Sequence, residues 1–474
     1  MLVLASFLSN TAFNFLIGLF LARFLGPDQY GRFALAVAIA AGLQTAAFDW
    51  ARVAAARFFA HDQSTDDPRL RRTVDMGLAA LMGLVGGAGL LAAATAAALP
   101  LPRPTMVLAV VLAIINGAFD YWTALIRARF LDRAYARLIL TKNGLSACLT
   151  LGGALWFGSA SAALVGLGCS MAGGAWAVRE ALAARPGAVP RPDRRLARRL
   201  LSYALPVVAA NLFYQTIPLV DRLLIARSHG FAQSGQFSLA YDIGIRIVSA
   251  LGSAFDVLLF QIAVRADATD GKAEARRQVG ANIGILIAVL LPACAGLWIV
   301  LSSFEAVAVP PEFRGPFAAY LRLLLPGMFC YGLIFFALNP LFQIERRTAP
   351  LVLVAAVAAG ANLALISLWP AAMGDASAYA KVQVAALALA MVTLCCWAAW
   401  TAPVRLRGRD LAGACAGSFA TACACWMLPA SVPGFTTLAL QVSAGAAAYT
   451  GVALLLDLCG VRALLKERFW TRPP

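Results

Sequence analysis

The chain has 474 residues, 61% of them hydrophobic and only 13% charged, with a mean hydropathy of +0.77 and a formal net charge of +16. A soluble domain is nearer half apolar and a quarter charged and needs more polar surface than this, so the composition excludes one and points to a membrane. The basic surplus lies mostly between apolar runs and is not interleaved with exposed aromatics, so topology accounts for it and no nucleic-acid partner is expected.

Apolar runs of about 20 residues, each long enough to cross a hydrocarbon core of about 30 Å, recur throughout. The pattern predicts helices over 2–25, 32–60, 74–98, 105–127, 137–158 and 160–180, then over 200–226, 235–264, 279–301, 316–343, 350–371, 376–402, 411–429 and 435–458. The first run has no basic stretch ahead of it and continues to about Leu25, which reads as a span rather than a cleavable signal peptide. Pro186, Pro190 and Pro192 and the arginines around them keep 185–199 out of the bilayer. The expected fold class is an all-α polytopic membrane protein of about 14 spans. It would comprise a six-helix lobe at 1–184, a cytoplasmic basic linker at 185–199, a second six-helix lobe at 200–402, and two further helices with a tail at 403–474.

Loop charge sets the orientation. Alternate loops carry Arg69, Arg71 and Arg72; Arg127, Arg129, Arg133 and Arg137; Arg179 to Arg199; Arg265, Lys272, Arg276 and Arg277; Arg346 and Arg347; and Arg405, Arg407 and Arg409. The intervening segments GPDQYG, PLPRP, GSASA, AAMGDASA and ASVPG are short and poor in charge. Both termini are therefore expected in the cytoplasm.

The outer turns hold an internal repeat. Residues 22–36, ARFLGPDQYGRFALA, and 226–240, ARSHGFAQSGQFSLA, are identical at 8 of 15 positions at a constant offset of 204, including Arg23/Arg227, Gly26/Gly230, Gln29/Gln233 and Gly31/Gly235. Both lie between the first and second helix of a lobe and both face outward, so the lobes are expected to be a parallel repeat about an axis along the membrane normal.

The same residues carry a family resemblance. LARFLGPDQYGRFALA, followed by Asp49 and Arg57-Phe58, resembles the opening hairpin of polysaccharide flippases of the multidrug/oligosaccharidyl-lipid/polysaccharide flippase superfamily. LPVVAANLFYQTIPLVDRLLIAR, with Asp221-Arg222, resembles the family's seventh helix, and AVAVPPEFRGP its turn before the tenth. The resemblance implies a transporter, not an enzyme, that moves a polyprenyl-pyrophosphate-linked oligosaccharide for polysaccharide biosynthesis. It implies no cofactor, and as partners the lipid-linked oligosaccharide, membrane lipids, H+ or Na+, and other polysaccharide assembly proteins. The alternatives are a drug/cation antiporter of the same fold and a membrane glycosyltransferase or polymerase. The latter generally needs a sizeable acidic or His-bearing outer loop, and none is visible here.

Ionisable groups inside spans are expensive and tend to face a cavity or each other. The candidate cavity residues are Asn14; Asp49 and Arg52; Asp120; Lys142; Asn211, Gln215 and Arg222; Asp242 and Arg246; and Arg322. Asp49, Asp242 and Asp256 are candidate ion-coupling carboxylates. Asp242, Arg246, Ser249, Ser253 and Asp256 form one helical stripe, and Asp242 and Arg246 have the spacing to pair. A structural ion pair or interhelical hydrogen bond is the alternative for each. The ten cysteines lack a CxxC pair and the only histidines are His61 and His229, so no metal site is expected.

Overall fold

The computed structural model describes residues 2–59, 68–95, 100–183, 191–345, 347, 349–369, 374–404, 406–428 and 434–462, with the side chains of 2–12, 93–95 and 256–258 excepted. Among the described residues there is no strand. The helices are α1 (Leu2–Phe58), α2 (Pro68–Thr95), α3 (Arg103–Ala128), α4 (Asp132–Leu145), α5 (Leu151–Phe157), α6 (Ala160–Ala177), α7 (Arg179–Leu182), α8 (Arg194–His229), α9 (Phe231–Thr269), α10 (Lys272–Ala308), α11 (Pro316–Leu333), α12 (Asn339–Ile344), α13 (Ala349–Leu368), α14 (Ser377–Thr401), α15 (Gly408–Trp426) and α16 (Phe435–Leu455). Single π-helical turns, Ser146–Thr150 and Ile334–Leu338, join α4 to α5 and α11 to α12 into continuous spans.

Among the described residues, 12 stretches have the length and hydropathy to cross a membrane. The first of them, Phe13–Phe58, is 46 residues. At 1.5 Å per residue that is about 69 Å, more than twice a bilayer core. It breaks at Gly26, with φ 66° and ψ 173°, and is two spans. With the 19-residue α15, the fourteen expected spans are accounted for. The protein is a multi-pass, all-α membrane protein.

Where the sequence suggests a six-residue outer loop at GPDQYG, one residue makes the turn. Pro27 suits the start of a helix because its missing N–H costs nothing there, and Asp28 pairs with Arg32 one turn on at 3.0 Å. Gly230, at the matched position, has φ 87° and ψ 168°, almost the Gly26 conformation, and left-handed φ of this kind favours glycine. The two turns also touch. A Cβ on Gly31 would overlap the Phe231 carbonyl oxygen and come within 3.0 Å of Gly235 N; a Cβ on Gly235 would overlap the Pro27 carbonyl oxygen and come within 2.9 Å of Gly31 N. Pro27 and Phe231 are themselves matched at the offset of 204, so the contact is self-reciprocal, as a local twofold requires. Arg32 closes it by stacking on the Phe231 ring at 4.8 Å.

Two compact units make up the chain, Met1–Leu239 and Ala240–Pro474. In the first, Phe48, Trp50 and Ala51 of α1, Val74 and Leu78 of α2, and Tyr121 and Leu125 of α3 form one buried cluster with Leu200, Ala204 and Val208 of α8. Gly117 of α3 lets α1 approach, since a Cβ there would sit 2.6 Å from the Phe48 side chain; small residues drive such close helix packing in lipid. In the second unit, Gly244 and Gly252 of α9 likewise receive Met328 of α11 and Phe336 of the adjoining π turn.

Several helices run past the apolar runs. α2 starts at Pro68, α8 at Arg194 and α10 at Lys272, because a helix continues into the headgroup layer, where Lys and Arg keep their charges in water. Asp193 caps α8, accepting from Arg195 N at 2.8 Å and Leu196 N at 3.4 Å. Glu305 does the same for α11, accepting from Gly315 N at 2.8 Å and Ala318 N at 3.0 Å. At the ends of α10 and α12, Glu345 accepts from Arg276 at 2.7 Å with Lys272 at 3.8 Å. The hydrogen bond from Arg276, and the charges of Arg276, Lys272 and Arg347 behind it, hold the Glu345 carboxyl below its ordinary range.

Candidate functional site

Within the first unit, the second span of α1 carries the polar groups that the apolar pattern cannot explain. Asp49 is 3% exposed. Arg52, one turn along, grips both of its oxygens, and the Nη2–Oδ2 distance is 2.8 Å. Asn211 of α8 donates to the same carboxylate at 3.4 Å. The pair is lopsided: the Asp49 side chain is 4% exposed and that of Arg52 is 42% exposed. The acid is sealed between α1 and α8, and the arginine that holds it is partly exposed.

A second acid lies close by. Gln44 of α1 donates to Asp120 of α3 at 3.1 Å, and Asp120 lies within electrostatic range of Arg52, Asp49 and Lys142. Lys142 of α4, 7% exposed, donates to Asn14 at 3.2 Å and to its neighbour Asn143 at 3.1 Å. Amides from three helices thus hold two carboxylates and two cations in an apolar bundle. Such groups persist there because each is hydrogen-bonded or paired. Chemically the cluster can exchange a proton or small cation at a carboxylate and meet an anion at Arg52.

Of the sequence-predicted residues, Asn14, Asp49, Arg52, Asp120, Lys142 and Asn211 belong to this cluster. Gln215 is half-buried on α8. Arg222 is buried beside Asp221, and its carbonyl accepts from Ser234 Oγ at 3.0 Å, which ties α8 to the start of α9. In the second unit, Arg322 is exposed near the start of α11 and donates to Ser302 Oγ at 3.0 Å. Asp242 and Arg246 are half-buried on α9, and the Asp256 side chain lies outside the described residues. Gln44 and Asn143 were not singled out by the sequence; an in-span amide beside a candidate acid or lysine is the signal that marks them. Among the described residues no group of three His, Cys, Asp or Glu side chains could hold a metal ion, and all ten cysteines are free thiols.

The family model "Polysaccharide biosynthesis protein" matches residues 20–309, more than half of the chain. No curated protein matches it in sequence. Among solved structures it is similar to a lipid II flippase, MurJ, in an inward closed conformation, with TM-score 0.69 and 12% identity over 98% of this chain and 99% of that one. It is also similar to a multidrug resistance MATE family transporter of the MOP superfamily. The inward-facing form gives TM-score 0.58 and 13% identity over 82% of this chain and 93% of that one. The outward-facing form gives TM-score 0.56 and 15% identity over 84% and 92%. The chain therefore belongs to the polysaccharide biosynthesis protein family.

Proposed function

We propose that the protein flips a polyprenyl-pyrophosphate-linked oligosaccharide across the bacterial inner membrane for polysaccharide biosynthesis, by alternating access between two six-helix lobes at 1–184 and 200–402, with both termini cytoplasmic. The observation that supports this most is the Asp49–Arg52 pair, a buried acid held by a partly exposed arginine. A pyrophosphate head cannot enter hydrocarbon uncompensated, and the guanidinium fork suits its oxygens. Arg246, Arg222 and Arg322 are further candidates to meet the head as it moves, with Asp242 beside Arg246. Asp49 and Asp120 are the carboxylates best placed to take a proton or Na+ in exchange, with Asp242 and Asp256 as second candidates.

A drug/cation antiporter is the second reading, favoured by a likeness that spans 93% of a multidrug transporter chain. Translocation of a lipid-linked oligosaccharide by the purified protein in sealed vesicles, with uptake of an organic cation measured alongside, separates the two. Sugar-lipid translocation without cation uptake is expected, and the reverse result overturns the proposal.

A further inference from the structure

Away from the polar cluster, the first unit holds a cavity of about 680 Å³ between α2, α3, α6 and α7. Its walls are apolar, with Met82, Ile115, Phe119 and Met171 among them, and its rim carries Arg71, Asp75 and Arg179. The polarity is graded along the helices. Arg71 and Asp75 lie in the first two turns of α2 and Arg179 just past the end of α6, whereas Met82 and Met171 lie deeper in their spans. The rim is built. Arg71 donates to the Leu182 and Ala183 carbonyls, the latter at 3.2 Å, and pairs with Asp75 at 3.4 Å; the Tyr121 hydroxyl donates to Asp75 at 2.7 Å. Arg71 and Asp75 thereby neutralise each other and fix α7.

Arg179 is different. Its side chain is 56% exposed and reaches the exposed Glu180 only at 4.0 Å; it donates to the Trp176 carbonyl at 3.4 Å and stacks over the Trp176 ring at 4.4 Å. Trp176 itself is 67% exposed. An arginine on a tryptophan at the end of a span is the arrangement of an interfacial anchor, apolar below and cationic above. The exposed Arg69 and Arg72 add two charges at the neighbouring end of α2, so four arginines face the two carboxylates Asp75 and Glu180.

We propose that this groove binds an anionic phospholipid of the surrounding bilayer, its phosphate at Arg179 and an acyl chain along Met82, Ile115 and Met171. The cationic rim selects the headgroup and the apolar walls take the chain. Basic pockets between spans bind anionic lipid in this way. The site is separate from the Asp49–Arg52 cluster and does not depend on the transport substrate.

Native mass spectrometry of the detergent-solubilised full chain, titrated with phosphatidylglycerol or phosphatidylcholine, tests it. The wild type is expected to retain phosphatidylglycerol in preference to phosphatidylcholine. Arg179→Gln should weaken phosphatidylglycerol retention by about fivefold, in line with roughly 1 kcal/mol per basic residue at a membrane surface, and Arg179→Lys should restore most of it. Ala172→Trp, on the exposed lip of the groove, should weaken both lipids. Equal retention of the two lipids, or no change in Arg179→Gln, overturns the proposal. So does displacement of phosphatidylglycerol by a polyprenyl phosphate in both wild type and Arg179→Gln, which would assign the groove to the substrate's tail.

Discussion

The outer turns at Gly26 and Gly230 have nearly the same backbone, and they touch through matched atoms. Farther along the same two helices the likeness stops. At the offset of 204, Gln44 stands against Val248, Thr45 against Ser249, Asp49 against Ser253 and Arg52 against Asp256. The first copy buries an acid and hydrogen-bonds it to a neighbouring helix; the second has a serine whose hydroxyl donates to the Ala250 carbonyl of its own helix at 3.4 Å. Two copies that pack against each other must keep the surface by which they do so, because a side chain added to one collides with the other. The polar residues deeper in are not held alike in the two copies.

The comparison breaks most easily at the contact. Gly31→Val and Gly235→Val each drive a side chain into a backbone carbonyl, which cannot move aside as a flexible side chain can. Each is expected to cost about 3 kcal/mol or more and to reduce accumulated folded protein sharply. Gly26→Ala meets no neighbour and strains only the left-handed φ, so it should cost about 1–2 kcal/mol. Thermal unfolding in detergent ranks the three. Equal effects at Gly26 and Gly31 would show that backbone strain, not the contact between copies, dominates.

The deeper stretches give the next effect. Asp49→Asn removes the charge that Arg52 and Asn211 share, and is expected to lower sugar-lipid translocation at least about tenfold, or roughly 1.4 kcal/mol. Ser253→Ala at the matched position should leave it within about twofold, since only a bond within one helix is lost. Parallel losses at both positions would restore the symmetry that the side chains deny. Lys142→Met removes a buried cation but keeps its length; with Asn14 and Asn143 left to each other, about 1 kcal/mol of stability is expected to go, measured by the same unfolding transition.

The smallest effect concerns pH. Glu345 has its carboxyl held low by Arg276, so its contribution is complete above the unfolded-state value and is lost as pH falls through the folded one. Arg276 is 32% exposed, and the pair is worth less than about 1 kcal/mol. Glu345→Gln should therefore lower stability at neutral pH by that amount and flatten the acid limb of the stability curve. An unchanged acid limb would remove the pair from the account.

How the spans fold was legible because hydrophobic run length is dictated by bilayer thickness, and Asp49 and Lys142 stood out because an ionised group in such a run needs a reason. The outer turn was misread for a specific cause: Gly, Pro and Asp are turn formers, but Pro at the first position and Asp in the first turn also begin a helix. The π turns at Ser146–Thr150 and Ile334–Leu338 have no compositional mark; in the first, the close approach of Gly166 to the Leu149 carbonyl depends on a neighbour in space. The bond from Gln44 to Asp120 joins residues 76 apart, and nothing local to either one announces the other.

Leu200, Ala204 and Val208 of α8 complete the core begun by Phe48, Trp50 and Leu125, and this bears on synthesis. While the chain is still being threaded into the bilayer, α1 and α3 have no α8 to cover them until residue 208 has left the ribosome. A nascent chain stopped at 184 has the face around Phe48 uncovered and is open to wrong partners or to proteolysis. One stopped at 239 can close it. The order in which helices emerge therefore decides how long the first core stays unfinished.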